Sequence, residues 1–210
     1  EFVEYRRWRA GEVWQLGPFT LTDPYRTVVD IARTTAFRYA LGYVDGLARE
    51  YDVEREELRA YAQANCRGLH GFARAFDVFE HMDGRSDNGG ESEARAAMIL
   101  AGVAAPELQV EITRPGNAGY YLADYGWQMP NGSWMLAELH GLGKFEDDAQ
   151  NDPEHTAAKT YRAALMRDAN LRAMGHNVIH FKLSDTYDVK AFGSMMRGYG
   201  IPTTKPYADS

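Results

Sequence analysis

Apolar side chains in the first part of the chain recur mainly at the three- and four-residue spacing of amphipathic helices. One such pattern follows Asp23, a good helix cap, and Pro24, which suits the first helical turn because it lacks an N–H group. Similar patterns cover 36–49, 55–65 and 71–80. Before them, residues 1–22 read as short strands interrupted by turns. We therefore expect residues 1–82 to form a mainly helical region with short strands.

The pattern changes after residues 82–90, which are rich in Gly, Asp and Asn and indicate a loop. A helix is predicted at 91–101, and Leu108, Val110 and Ile112 then alternate with polar residues as in a half-buried strand. The remaining elements are strands at 119–128, 134–140 and 179–183 and helices at 156–174 and 188–197. This order predicts an α/β fold for residues 83–210, built from a helix, a three-stranded antiparallel meander, a helix and a further strand.

The helix at 156–174 has two distinct sides. We expect its core-facing side to carry Tyr161, Leu165 and Ala169. We expect the opposite side to be solvated, with a path for phosphate groups as the alternative, and it carries Lys159, Arg162 and Arg167. After this helix, His176 and His180 have the four-residue spacing of metal ligands on a helix. The segment reads as a strand, however, so a zinc site is not expected there.

Asp124 and Glu138 lie on consecutive predicted strands, at equal distances from Asn131 in the turn between them. A loop with an odd number of residues centred on Asn131 places the two acids opposite each other, with Cβ atoms about 5 Å apart. Like charges at that distance repel, and a divalent cation removes the repulsion. His140 then points to the same face as Glu138. A two-residue turn would instead shift the register by one and put the two acids on opposite faces.

Glu91 is a third acid that the pattern points inward. Ala94, Met98 and Ala101 follow it at the spacing of one helical face, so Glu91 begins the apolar stripe of its helix. An inward carboxylate needs a partner or a metal ion. Simpler interpretations stay open, because acids on a hairpin often face solvent and the helix dipole favours an acid such as Glu91 at a helix N-terminus.

The composition is that of an ordinary globular protein, with 45% hydrophobic residues. The net charge of −7 argues mildly against a general nucleic-acid binder but leaves room for a local basic groove. The one cysteine, Cys66, excludes an internal disulfide and a thiolate-rich zinc site, and we expect it to be buried or half-buried. Because neither a signal peptide nor a membrane-length apolar run is visible, we expect no membrane contact and a cytoplasmic location.

Short motifs of the second half form a series: Gly90-Glu91-Ser92, Leu108-Gln109-Val110, Asp124-Tyr125-Gly126-Trp127, Glu138-Leu139-His140-Gly141, Lys144-Phe145, Leu171-Arg172-Ala173-Met174-Gly175 and Val178-Ile179-His180-Phe181. This series resembles a domain found in actinobacterial-type proteins. That domain is similar to the very-short-patch-repair endonuclease and belongs to the PD-(D/E)XK superfamily. The resemblance implies a restriction-endonuclease-like core and metal-dependent cleavage of DNA. It implies that Asp124 and Glu138 hold Mg²⁺ or Mn²⁺, that His140 or Lys144 orients or deprotonates the attacking water, and that Glu91 assists.

The segment 21–33, Leu-Thr-Asp-Pro-Tyr-Arg-Thr-Val-Val-Asp-Ile-Ala-Arg, resembles a linker helix of the same proteins. Those proteins often begin with a winged-helix domain and are likened to abortive-infection antitoxins. The chain has no initiator Met, and we expect that such an N-terminal domain is missing from it. The partners that the resemblance implies are DNA and a toxin.

One position departs from the family pattern. The residue two places after Glu138 is usually an acid in the family and often the catalytic lysine in the superfamily, but here it is His140. A histidine can serve as a neutral base near pH 7 or as a metal ligand, so the chemistry can survive. The same change fits an inactive nuclease fold that acts as a DNA-binding regulator or antitoxin-like component. The sequence leaves both interpretations open.

Overall fold

The computed structural model describes residues 13–140, 153–205 and 207. The chain divides into two compact units, and the division falls between Gly84 and Arg85, inside the segment 82–90 that the sequence predicts to be a loop. The mixed α/β class is confirmed. Among the described residues, no helix is long and apolar enough to cross a membrane.

The first unit begins with a hairpin and continues with helices, as the sequence predicts. Its elements are the antiparallel strands β1 (Val13–Leu16) and β2 (Phe19–Thr22) and the helices α1 (Pro24–Thr34), α2 (Phe37–Tyr51), α3 (Arg55–Asn65) and α4 (Phe72–Phe79). Asp23 caps α1, because its Oδ1 accepts the N–H of Arg26 at 3.0 Å. Helix α1 contacts α2, α3 and α4. Cys66 is buried in this unit, which confirms its expected place.

The second unit contains one four-stranded sheet and three helices among its described residues. In chain order these are α5 (Gly89–Leu100), β3 (Glu107–Thr113), β4 (Tyr120–Gln128), β5 (Trp134–His140), α6 (Pro153–Ala173), β6 (Asn177–Lys182) and α7 (Val189–Gly198). The strands lie in the order β3-β4-β5-β6. The first three form an antiparallel meander, and β6 runs parallel to β5 after the crossover through α6. The predicted order of elements is therefore present.

Each face of the sheet has its own buried cluster. One face packs against α5 and α7, and its cluster includes Met98, Tyr125, Ala137, Phe181 and Phe192. The other face packs against α6, and its cluster includes Val110, Ala123, Leu136, Leu171 and Val178. We refer to these as the α5/α7 face and the α6 face. Three of the candidate site residues, Asp124, Glu138 and His140, lie on the middle strands β4 and β5.

The side of α6 that faces the sheet differs from the prediction. Leu165 is 52% exposed and Ala169 is exposed as well, whereas Asp168 and Leu171 are buried and Arg167 is half-buried. The side chains of Tyr161 and Lys159 lie outside the described residues, and Arg162 is exposed as expected. The prediction was wrong because the sheet presents polar side chains to this part of the helix. A polar surface on β5 and β6 selects the charged side of α6.

Candidate functional site

The hairpin of β4 and β5 has the register that brings Asp124 and Glu138 level with each other. Gln128 pairs with Trp134 across a five-residue loop, and the pairing continues to Tyr125 and Ala137. The next pair in this register is Asp124 and Glu138. The odd-length loop expected from the sequence is therefore confirmed, and the two-residue turn is excluded.

Asp124 lies where the pairing of β4 with β5 ends. It is 8% exposed, and its Oδ2 accepts the backbone N–H of Leu139 at 2.8 Å. The side chain thus takes a backbone donor of β5 at the level where the two strands stop pairing with each other. We call this region, formed by Asp124, Glu138 and Leu139, the fork.

Glu138 is held by an arginine from α6. Arg167 donates hydrogen bonds to Oε1 of Glu138 and to the carbonyl oxygen of Leu122. Burial acts to lower the pKa of Arg167, but the hydrogen bond and charge of Glu138, and then the charges of Asp168 and Asp124, raise it above its usual value. The guanidinium is therefore firmly charged. It interacts with both acids of the fork and offsets part of their repulsion.

Glu91 points inward, as the sequence predicts, and it is 3% exposed at the start of α5. Its Oε2 accepts the N–H of Asp87 at 2.8 Å and the side-chain amide of Gln109 at 3.2 Å. Its Oε1 accepts the side-chain amide of Asn88 at 2.8 Å. These three donors hold the buried carboxylate in place at the start of α5.

The strands β3 and β4 change sides beside Asp124. Leu108 and Tyr125 contribute to the cluster on the α5/α7 face, whereas Val110 and Ala123 contribute to the cluster on the α6 face. Side chains two positions apart normally lie on the same side of a strand. The exchange occurs at Gln109 and Asp124, the pair that is missing from an otherwise continuous ladder.

His140 faces α6 together with Glu138, as predicted. Its ring stacks on that of His180, with 4.8 Å between the ring centroids, and His180 Nε2 donates to Asp168 Oδ2 at 2.8 Å. Burial and then the neighbouring His180 lower the pKa of His140, against the opposing charges of Glu138 and Asp168. A lowered pKa favours the neutral imidazole of His140.

His176, which has the spacing of a metal ligand relative to His180, bonds to the backbone instead. The Nδ1 of His176 accepts the backbone N–H of Trp134 at 3.1 Å, and burial lowers the pKa of His176. His180 instead bonds to Asp168 on α6. The two side chains therefore have separate partners.

The structure brings the predicted residues together unevenly. Glu138 bonds Arg167 of α6, and the charge of Asp124 also acts on that guanidinium. His140 stacks on His180, and Glu91 bonds Gln109, the residue level with Asp124. Lys144 lies outside the described residues. Sequence reasoning did not assign Gln109 or Asp168 to the site and expected a solvated Arg167. The motif Leu108-Gln109-Val110 was a usable signal for Gln109.

The acids fit a hard divalent cation by their chemistry. Within the described ranges, no group of three or more His, Cys, Asp or Glu side chains is arranged to hold a metal ion. Mg²⁺ does not require one, since it commonly takes one or two carboxylates and completes its shell with water and substrate phosphate. Asp124 and Glu138 supply two carboxylates. Arg167 already bonds one of them, Glu138.

Comparison with known proteins leaves the family of the chain undefined. No family model matches it, and no solved structure matches it. Two curated relatives are "Uncharacterized protein MT2308" of Mycobacterium tuberculosis strain CDC 1551 / Oshkosh and "Uncharacterized protein Rv2248" of strain ATCC 25618 / H37Rv. Each is 35% identical to the chain over 106 residues, a match that covers 50% of the chain. It covers 38% of each relative, so the chain spans well under half of their length.

Proposed function

We propose that the second unit is a restriction-endonuclease-like domain that hydrolyses phosphodiester bonds in DNA with Mg²⁺ or Mn²⁺. The observation that carries the proposal is the fork, where Asp124 and Glu138 lie level on adjacent strands and His140 follows Glu138 on the same side of the sheet. The predicted order of helix, meander, helix and strand supports it. The motif series from Gly90 to Phe181 supports it as well, through its resemblance to the PD-(D/E)XK superfamily.

In this proposal Asp124 and Glu138 hold the cation, which supplies Lewis-acid activation of the phosphodiester and of the attacking water. His140 accepts a proton from that water, because an imidazole with a lowered pKa is unprotonated at neutral pH. Glu91, fixed by Gln109, supports the water from the α5 side. The role of Lys144 stays the one that the resemblance implies, which is to orient or deprotonate the same water.

The test is nicking of supercoiled plasmid with Mg²⁺ or Mn²⁺, together with calorimetric titration of Mn²⁺. Asp124→Asn and Glu138→Gln keep size and hydrogen-bonding capacity but remove one charge each. We expect each to reduce nicking by more than about 100-fold, since even residues that only support metal ligands cost 10–100-fold. The matched control is Glu111→Gln, an exposed acid on β3, which should change nothing.

A second candidate function is favoured by Arg167. Its guanidinium bonds Glu138 and offsets the negative charge of the fork. An inactive nuclease fold needs no other cation there. His140 at the position of the usual acid or lysine points the same way. In this case the domain is a DNA-binding regulator or an antitoxin-like component with a toxin partner. Absence of both Mn²⁺ binding and nicking in the wild type would contradict the nuclease and favour this alternative.

A further inference from the structure

Gln109 has a backbone conformation that strand residues rarely adopt. Its φ is +52°, in the left-handed region, although it lies inside β3 (Glu107–Thr113). For an L-residue other than glycine this conformation is costly, and it persists only where the surrounding structure enforces it. Such residues cluster at functional sites.

An inserted residue does not explain this conformation. Leu108 pairs with Tyr125 and Val110 pairs with Ala123, so the register is the same before and after Gln109. A β-bulge would shift that register by one. The unusual backbone conformation therefore changes the direction in which side chains point and leaves the pairing of the strands unchanged.

The direction that changes is that of Asp124, the residue level with Gln109. In a regular strand the side chain of Asp124 would stand perpendicular to the sheet, toward one layer of helices. Because both strands exchange sides here, its carboxylate instead reaches the N–H of Leu139, which points along the sheet. The amide of Gln109 meanwhile reaches Glu91 on α5.

We infer that Gln109 is a positioning residue with two separable parts. Its left-handed backbone turns β3 and β4 at the fork and so directs the Asp124 carboxylate to Leu139. Its side-chain amide holds Glu91. The first part is a property of the folded chain, whereas its value for cation binding and cleavage rests on the proposed function.

Three substitutions separate the backbone from the amide. Gln109→Gly, Gln109→Ala and Gln109→Val all remove the amide, but they tolerate a positive φ in decreasing order, since glycine does so without cost and a β-branched residue hardly at all. If the Val variant does not fold, the Gly and Ala variants still give the comparison. A matched control is Asp52→Gly, because exposed Asp52 also has a φ of +52° but lies at the end of α2.

The first measurement is hydrogen exchange of the Leu139 amide, followed by NMR. We expect protection in Gln109→Gly to match the wild type, and exchange to become faster in the order Ala and then Val. Asp124→Ala sets the limit, with exchange at least about tenfold faster, because a hydrogen bond to a charged acceptor is lost. Equal protection in the Gly, Ala and Val variants would overturn the backbone role whether or not the protein binds metal.

The second measurement divides Mn²⁺ affinity from turnover. In Gln109→Gly we expect a Kd for Mn²⁺ within about twofold of wild type and a kcat for nicking lower by about tenfold, because only the amide hydrogen bond to Glu91 is lost. The Ala and Val variants should lose affinity as well. A Gln109→Gly variant with wild-type kcat would refute the amide role. A wild type that neither binds Mn²⁺ nor cleaves would refute the proposed function and the amide role together, leaving the Leu139 result to decide the backbone role.

Discussion

At the scale of single residues, Arg167 determines the electrostatic character of the fork. Two acids on adjacent strands would repel each other, and the expected remedy was a divalent cation. In the structure a guanidinium from α6 bonds Glu138 and interacts with Asp124. In the proposed function, Arg167 and the cation therefore compete for the same charge, and the cation affinity of the fork depends on Arg167 as much as on the acids.

Removing this competitor should tighten cation binding. In Arg167→Gln we expect a Kd for Mn²⁺ about fivefold lower, which corresponds to about 1 kcal/mol for a partly exposed ion pair. Calorimetric titration measures it. Arg162→Gln, an exposed change on the same helix, is the matched control and should leave the Kd unaltered. Weaker binding in Arg167→Gln would mean that Arg167 supports the cation instead of opposing it.

His176 should make stability depend on pH. Its Nδ1 is a hydrogen-bond acceptor, and its pKa in the folded state is below the ordinary value near 6.5. The unfolded chain therefore binds the proton more readily, so stability is fully present above about pH 6.5 and is lost as the pH falls through the lowered pKa.

The substitution His176→Asn tests this linkage, because Asn keeps an acceptor near the position of Nδ1 but does not titrate. We expect the loss of unfolding free energy between neutral and mildly acidic pH to be smaller in this variant than in the wild type. Urea unfolding at several pH values measures the difference. An identical loss in both proteins would show that His176 does not contribute to it.

At the scale of elements, caps of the same type should differ in strength according to their burial. Asp23 is 6% exposed, caps α1 through Arg26, and accepts the hydroxyl of Tyr61 at 2.9 Å. Asp188 is exposed and caps α7 through the N–H of Ala191 at 2.9 Å. The first cap joins two helices of its unit, whereas the second supports one helix end.

We therefore expect Asp23→Ala to cost about 2–4 kcal/mol, since it removes a cap and leaves the Tyr61 hydroxyl without its acceptor. Asp188→Ala should cost about 0.5–1 kcal/mol, the range for a simple cap. Urea unfolding of both variants gives the comparison. Equal costs would show that the bond between Asp23 and Tyr61 adds nothing to the stability of the first unit.

At the scale of the whole molecule, net charge limits how well the chain alone can hold DNA. It has 23 Lys and Arg residues against 30 Asp and Glu residues. Affinity for DNA rises with the number of phosphates that basic residues neutralise, and it falls steeply with salt. A docking surface elsewhere would be needed for tight binding.

We accordingly expect this chain to bind duplex DNA with a Kd of about 10 µM or weaker at a salt concentration of about 0.15 M, and to nick plasmid only slowly there. Lowering the salt should strengthen both. Fluorescence anisotropy with a labelled duplex and a parallel nicking assay measure the two salt dependences. Submicromolar binding at the higher salt would contradict the argument from net charge and would indicate a concentrated basic surface.

The sequence by itself determined the type and the order of the elements. Helical spacing, the Asp23-Pro24 start and strict alternation are local signals, and the chain responds to them locally. For the β4–β5 hairpin the sequence left two loop lengths open, and the odd loop centred on Asn131, which sets the two acids opposite each other, is confirmed by the pairing of Gln128 with Trp134. The inward direction of Glu91 followed from the helical spacing of Ala94 and Met98 after it.

Only the tertiary structure decided which side of α6 faces the sheet and therefore where Arg167 and Asp168 point. It also decided that the side chains of β3 exchange faces of the sheet at Gln109. The sequence suggested an apolar stripe through Leu165, but the surface it meets carries Glu138 and His180, and burying these without partners would cost more than exposing Leu165. The left-handed φ of Gln109 is likewise invisible locally, because no propensity favours it there. Both features arise from partners distant in the sequence, which spacing along one segment does not report.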